Sequence, residues 1–392
     1  MPYSPPIRFL GSSLLGELPL SKLDPAATIP LGRPGTEDVS EFPLVAYFQA
    51  IQQVIEKAGY ENLLAALRTR LRRLVTLNEI REIRIFSEKH GSDYHPARVE
   101  VRLPDQVVLF VMDVALTERG RFVLPNEFKV LVQLNRKYDR PFLPKAYFLD
   151  TTEAMIKPEG GLPVLMYLGD WLEGFHEFHL SIDPADGLQK IVLWDNPRHD
   201  HYLPEALFTP IYKEIARVLT GYYDLNTFFQ IHPWHLAAGD FIARIENDRV
   251  EVRLVAARHY GPLVGPEDLS WEEALLFFLL NLTLRIRLDR LDGVGEIAWA
   301  DEGCLSSAIE GFFLALEEKV ERGEFTEDYP RRFRKFLRSL SIEDLEERLS
   351  ASVGANDPSA PDLPIIEKHL DRHLKAVFGQ ESFQKPRAPS NR

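Results

Sequence analysis

The sequence predicts an α+β protein of bilobal design, in which an antiparallel five-stranded small lobe precedes a mainly helical large lobe. Three observations carry this. Between Ile80 and Leu168, apolar residues alternate with period two in five runs, interrupted once by helical spacing. From Glu205 onward they recur every three or four residues, and one pair of alternating runs, Asp240 to Ala256, sits among those helices. Alternation marks a strand with one buried face, whereas recurrence at three and four marks a helix with one buried stripe.

Taken in chain order, the first forty residues are rich in Pro, Gly and Ser and read as an extended arm. Leu44, Phe48, Ile51 and Ile55 then set a helical stripe, which resumes after Gly59 at Leu63, Leu64, Leu67, Leu71 and Leu74. Arg68, Arg70, Arg72 and Arg73 on the second stretch read as a solvated face. Strands are predicted at 80–86, 97–103 and 106–116, the last two joined by a turn at Pro104 and Asp105. Pro125 is placed to start the helix whose stripe is Phe128, Leu131, Val132 and Leu134, because the first helical turn tolerates a missing N–H. Strands at 142–150 and 161–168 complete a β-β-β-α-β-β order.

Beyond Gly169 helices are predicted at 205–223, 271–291, 304–322, 329–340 and 342–350. Asn247 and Asp248 supply the turn of the hairpin between them. A linker over 350–362 leads to a helix at 363–378 and a flexible tail. The expected organisation is therefore an arm and helical extension at 1–75, a β-rich lobe at 76–168, a helical lobe with a hairpin at 169–350, and a linker, helix and tail at 351–392.

Composition narrows the function. The 392 residues are 45% hydrophobic and 27% charged, which excludes a disordered chain or a fibre. A formal net charge of −13 argues against nucleic acid or anionic lipid as partners, since phosphate neutralisation needs excess Lys and Arg. The single cysteine, Cys304, cannot form an internal disulfide or a thiolate cage. The first residues carry prolines and early charges where a secretory leader has an apolar core, and the greasiest stretch, 274–286, is too short to cross a bilayer. These features set the expectation of a cytoplasmic protein without membrane or nucleic-acid partners.

The order of elements, with a few short runs, resembles the protein kinase-like fold, in particular its aminoglycoside and choline phosphotransferase branch, over about 80–340. Asn126-Glu127-Phe128-Lys129 is similar to the small-lobe helix that carries the family's ion-pairing Glu, which puts Glu127 in that role. Met166, Tyr167 and Leu168 resemble the hinge whose backbone meets an adenine ring. His232-Pro233-Trp234-His235-Leu236-Ala237-Ala238-Gly239-Asp240 is similar to the catalytic loop, in which a base is followed five residues later by a metal ligand. By that resemblance His235 stands at the base and Asp240 at the metal ligand, with ATP and Mg as the implied cofactors.

Three of the family's chemical positions are changed. Val111-Met112-Asp113-Val114 stands where the family has a Lys, Arg258 stands where it has a second metal carboxylate, and the loop between the first two strands offers one glycine, Gly91. Phosphoryl transfer depends almost wholly on positioning and charge neutralisation, so these losses favour a degenerate binding protein over an active kinase. In that reading a nucleotide or other anionic ligand, or a protein partner, is bound, with Arg258 as a fixed cation. The alternative is a divergent small-molecule phosphotransferase using His235 and Asp240. Histidine pairs at 176/179, 199/201 and 232/235 also suggest metal binding, against a bland reading as hydrogen-bonded or solvated imidazoles.

Overall fold

A computed structural model of the chain describes residues 3–13, 16–19, 24, 26–31, 40–88, 94–157, 160–196, 198–263, 269–326, 328–354 and 361–384. The chain divides into two compact units, Met1–Glu173 and Gly174–Arg392. The fold is α+β, as the sequence predicts.

In the first unit, β1 (Ile7–Ser13) and β2 (Gly16–Pro19) precede a small hairpin of β3 (Thr28–Leu31) and β4 (Ser40–Pro43). Helix α1 (Leu44–Leu71) follows, broken at Lys57–Tyr60, where Ala58, Gly59 and Tyr60 all take positive φ. The five expected strands are β5 (Glu82–Ser87), β6 (His95–Arg102), β7 (Val107–Ala115), β8 (Ala146–Lys157) and β9 (Gly160–Asp170). Helix α2 (Glu118–Lys137) lies between β7 and β8 in sequence.

The expectation of a five-stranded antiparallel sheet is corrected in number and direction. The sheet has seven strands in the order β2-β1-β5-β6-β7-β9-β8. Part of the expected arm is β1, which pairs parallel to β5 in the register Ile7↔Ile83 to Gly11↔Ser87. Its backbone groups thereby gain ladder partners that an extended arm in water would lack.

Alternation along the strands sorts the two faces. Ile83, Ile85, Val99, Val101, Phe110, Met112, Val114, Met166 and Leu168 form one core with α1. Helix α2 packs on the opposite face, where Phe128 meets Tyr167 at 6.0 Å between ring centroids. The result is a helix–sheet–helix sandwich. Helix α2 begins seven residues before Pro125, because the Thr117 side chain accepts from Gly120 N–H at 3.0 Å and caps it there.

The second unit is less purely helical than the sequence predicts. Strands β10 (His176–Ile182), β11 (Gln189–Leu193) and β12 (His201–Tyr202) precede helix α3 (Glu205–Gly221). After β13 (Phe229–Ile231) comes the expected hairpin, β14 (Phe241–Glu246) and β15 (Arg249–Leu254). It is part of a five-stranded sheet, β12-β11-β10-β14-β15, joined through the pairing His176↔Ala243. Strand β16 (Tyr260–Pro262) pairs with β13.

Helix α4 (Trp271–Arg285), a two-strand ribbon of β17 (Leu288–Arg290) and β18 (Ile297–Trp299), and helices α5 (Gly303–Glu321), α6 (Asp328–Leu337), α7 (Ile342–Gly354) and α8 (Leu363–Phe378) complete the unit. Helices α3 and α5 approach backbone to backbone at Gly311, where a Cβ would stand 2.0 Å from the Lys213 carbonyl oxygen. Helix α8 is latched by Trp299, which stacks on His369 at 5.1 Å and carries the Arg287 guanidinium 4.7 Å from its ring centroid. Part of the predicted tail is ordered, since Phe383 is buried. The Gly91 loop and residues 355–360 of the predicted linker lie outside the described residues.

Candidate functional site

Three of the sequence-predicted site residues meet in the second unit. A loop runs from β13 through His232 to a short 3-10 turn at Leu236–Ala238, then reverses at Gly239, whose φ is +67°. Glycine is favoured there because a Cβ is strained at positive φ. The reversal sends the Asp240 carboxylate back over the loop, where its Oδ2 accepts the His235 backbone N–H at 2.8 Å. Arg258, on the segment between β15 and β16, donates to the same carboxylate as a fork. Nη1 reaches Oδ2 and Nη2 reaches Oδ1, each at 2.7 Å.

Asp240 is buried, with 1% of its surface exposed. It therefore needs the full set of charge-assisted partners that it has, because an unpaired carboxylate there would be costly. A carboxylate offers about four lone-pair directions, and here three are taken. The His235 side chain is exposed while its backbone is tied to Asp240. His232 packs edge-on against His259 at 4.7 Å between centroids, and its Nε2 is buried with no hydrogen-bond partner among the described residues. Burial, aided by His259 and Arg285, pushes the His232 imidazole down to about 4, so it is neutral at pH 7.

The remaining predicted residues belong to the first unit. Glu127 is buried on α2, where it accepts from Tyr94 Oη at 2.8 Å. Met166, Tyr167 and Leu168 lie inside β9, flanked on one side by Val114, Asp113 and Met112 of β7 and on the other by Asp150, Leu149 and Phe148 of β8. Their backbone groups serve the sheet, and the boundary between units falls later, after Glu173. Met166 and Leu168 belong to the α1 core, whereas Tyr167 faces α2.

Tyr167 donates to Asp113, its neighbour across the ladder in β7. Burial pushes the Asp113 carboxyl up to about 6 against that hydrogen bond, and Glu127 also acts on the Tyr167 hydroxyl. Alternation in β7 was the available signal, because it puts Asp113 on the same face as Val111, away from Met112 and Val114.

The histidine pairs do not assemble a metal site. Among the described residues no group of three or more His, Cys, Asp or Glu side chains is placed to hold an ion. His179 is buried and faces Asp289 at 3.1 Å, His201 faces Asp195 at 2.7 Å, and His199 stacks on Trp194 at 4.3 Å. Cys304 is buried, which pushes its thiol up to about 12 and leaves it a poor nucleophile. No helix among the described residues is long and apolar enough to cross a membrane.

No protein-family model matches this chain, and no curated protein matches it.

Proposed function

We propose that the chain is a kinase-like, pseudokinase-type protein that binds a nucleotide or another anionic ligand, or a protein partner, with little or no phosphotransfer. The support for the kinase-like part is the β5-β6-β7-α2-β8-β9 order, followed by a catalytic-loop-like run, a hairpin and Arg258. The observation that carries the functional part is the Asp240–Arg258 fork. At the position of a metal ligand, the carboxylate is neutralised from within the chain, so a divalent cation could bind only by displacing a guanidinium and facing its repulsion. The Asp113–Tyr167 pair, in the segment 111–114 where the resemblance expects a Lys, points the same way, because a carboxyl group repels a phosphate that a Lys would hold.

Thermal melting with ATP, ADP and GTP, each with and without magnesium, tests this reading. A ligand at a hundred times its dissociation constant stabilises by about 2.7 kcal/mol, several degrees for a domain of this size. The expected result is a shift independent of magnesium. No shift with any nucleotide removes nucleotide binding and leaves the partner surface.

The second reading, a divergent small-molecule phosphotransferase, is favoured by one observation: the His235 imidazole is exposed beside Asp240 and so could accept a substrate proton. ATP turnover compared among the wild type, His235→Ala and Asp240→Ala separates the two. Equal background rates in all three end the enzyme reading, and loss of a real rate in both variants ends the binding-only one.

A further inference from the structure

Helix α6 is cationic on its outer face. Arg331, Arg332, Arg334 and Lys335 lie on it and Arg338 directly follows it, with no Asp or Glu between Tyr329 and Ile342. Its buried residues are Pro330, Phe333 and Leu337, which at 3.6 residues per turn leaves these cations on the opposite arc. Arg332 and Arg334 are matched, donating to Glu272 at 2.9 Å and to Glu317 at 3.0 Å. Arg331 and Lys335 are exposed and have no ion-pair partner among the described residues.

Helix α7 is the counterpart. It buries Leu345 and Leu349, and Glu343, Glu346 and Glu347 stand exposed on its other side, likewise without an ion-pair partner among the described residues. The two helices flank the first turn of α4, where Arg332 of α6 meets Glu272 and Arg348 of α7 meets Glu273 at 3.6 Å. A cationic stripe and an acidic stripe thus stand on neighbouring helices, joined by a turn with half-buried Leu340 and Ile342.

We infer that this surface joins two copies of the chain about a two-fold axis, the α6 stripe of each copy lying on the α7 stripe of the other. A two-fold contact makes every pairing occur twice, so a surface that carries both signs on adjacent helices is complementary to itself. A second copy is favoured over an unrelated acidic partner, because this chain supplies both stripes, and over nucleic acid, because the α7 carboxylates would repel phosphate. Helices of 10 and 13 residues, about 10 Å wide and rising 1.5 Å per residue, offer roughly 350 Å² per copy. A stable interface takes about 800 Å² per partner, so this dimer is a weak one. The inference goes beyond ligand binding at His235, Asp240 and Arg258 and does not depend on it.

Sedimentation velocity of the full chain from about 5 to 500 µM, a range that spans weak association, tests this. Wild type is expected to pass from monomer toward dimer. Arg331→Glu/Lys335→Glu and Glu346→Lys/Glu347→Lys are each expected to weaken association at least tenfold, since like charges then face one another at both contacts. Mixed in equal amounts, the two variants are expected to form a heterodimer, because an acidic α6 then meets a basic α7 and the two unaltered helices make the second contact. That mixed dimer also shows both variants to be folded. Wild type that stays monomeric throughout overturns the proposal. So do variants that dimerise as the wild type does, and so does a mixture that stays monomeric.

Discussion

Arg258 holds both carboxylate oxygens of Asp240 at 2.7 Å while the His235 backbone N–H holds one of them at 2.8 Å. The pair joins the turn before β14 to the segment after β15, so it fixes the whole loop from His235 to Asp240 against its own sheet. Removing one partner of a buried ion pair costs about 3–5 kcal/mol, because the survivor is left charged and dry. Asp240 is the drier of the two, with 1% of its side chain exposed against 17% for Arg258. Arg258→Gln is therefore expected to destabilise more than Asp240→Asn, and the double variant less than the sum. Urea denaturation of all three gives the coupling directly; strict additivity would mean that the pair carries no interaction energy.

Gly311 sets how closely α3 and α5 approach. With the Lys213 carbonyl oxygen 2.0 Å from where a Cβ would sit, and backbone atoms on that side, no side chain can turn away to make room. Gly311→Ala should cost about 3 kcal/mol despite its better helix propensity. A melting temperature within one degree of the wild type would show that the helices slide apart freely.

Acid should loosen the second unit through histidines buried neutral. His373 has no exposed surface, accepts from Arg287 Nη1 at 3.4 Å, and is pushed down by burial, then by Arg287, to about 3. Its folded pKa lies below the ordinary 6.5, so below pH 6.5 the unfolded chain binds more protons and stability falls as pH falls, down to about 3. His232, pushed down to about 4, adds a slope of the same sign between 6.5 and 4. Between pH 6.5 and 4.5 His373 contributes a loss of roughly 2 kcal/mol, and His232, which is only partly buried and so screened by solvent, contributes less. His373→Gln, which keeps an acceptor for Arg287, should flatten the dependence of the urea midpoint on pH over that window. An unchanged slope would contradict the burial of a neutral imidazole.

Asp113 has the opposite sign. Its folded pKa, raised by burial to about 6, means that ionisation opposes folding, so its cost grows as pH rises from about 4 to 6 and is complete above that. Asp113→Asn is expected to stabilise the first unit by about 1–3 kcal/mol at pH 8 and by much less at pH 4. Equal effects at both pH values would place the carboxyl in water.

Much of this architecture was legible in the sequence where one period runs long enough to be counted. The strands β5, β6, β7 and β9 and helices α3 and α5 to α8 stand close to their predicted places, whereas β8 begins four residues and ends seven residues later than predicted, and α4 ends six residues early and gives way to β17. Strands β10 and β11 were missed although His176-Glu177-Phe178-His179-Leu180 alternates and Asp183 to Gly187 supplies a turn, with Gly187 at a φ of +72°. Histidines at the inward positions hid the pattern, since His179 is buried only because Asp289 satisfies it from 110 residues away. The pairing of β1 with β5 is likewise long-range and leaves no local mark. At the candidate site, the spacing of His235 and Asp240 was readable, but the capture of Asp240 by Arg258 depends on how the hairpin returns. Glu127, Met166, Tyr167 and Leu168 were given places by resemblance, and for the last three the sheet ladder accounts for the backbone instead.

The proposed function rests on Arg258 holding the Asp240 carboxylate from both oxygens, which leaves a metal ion to compete with a guanidinium. Titration of ATP into the full chain by calorimetry, first in EDTA and then in excess magnesium, tests it most directly. The account predicts dissociation constants within about threefold of each other and no turnover, since a tenfold change corresponds to 1.4 kcal/mol and no such term is available from a metal at Asp240. Binding that appears only with magnesium, together with ATP turnover that Asp240→Ala abolishes, would contradict it.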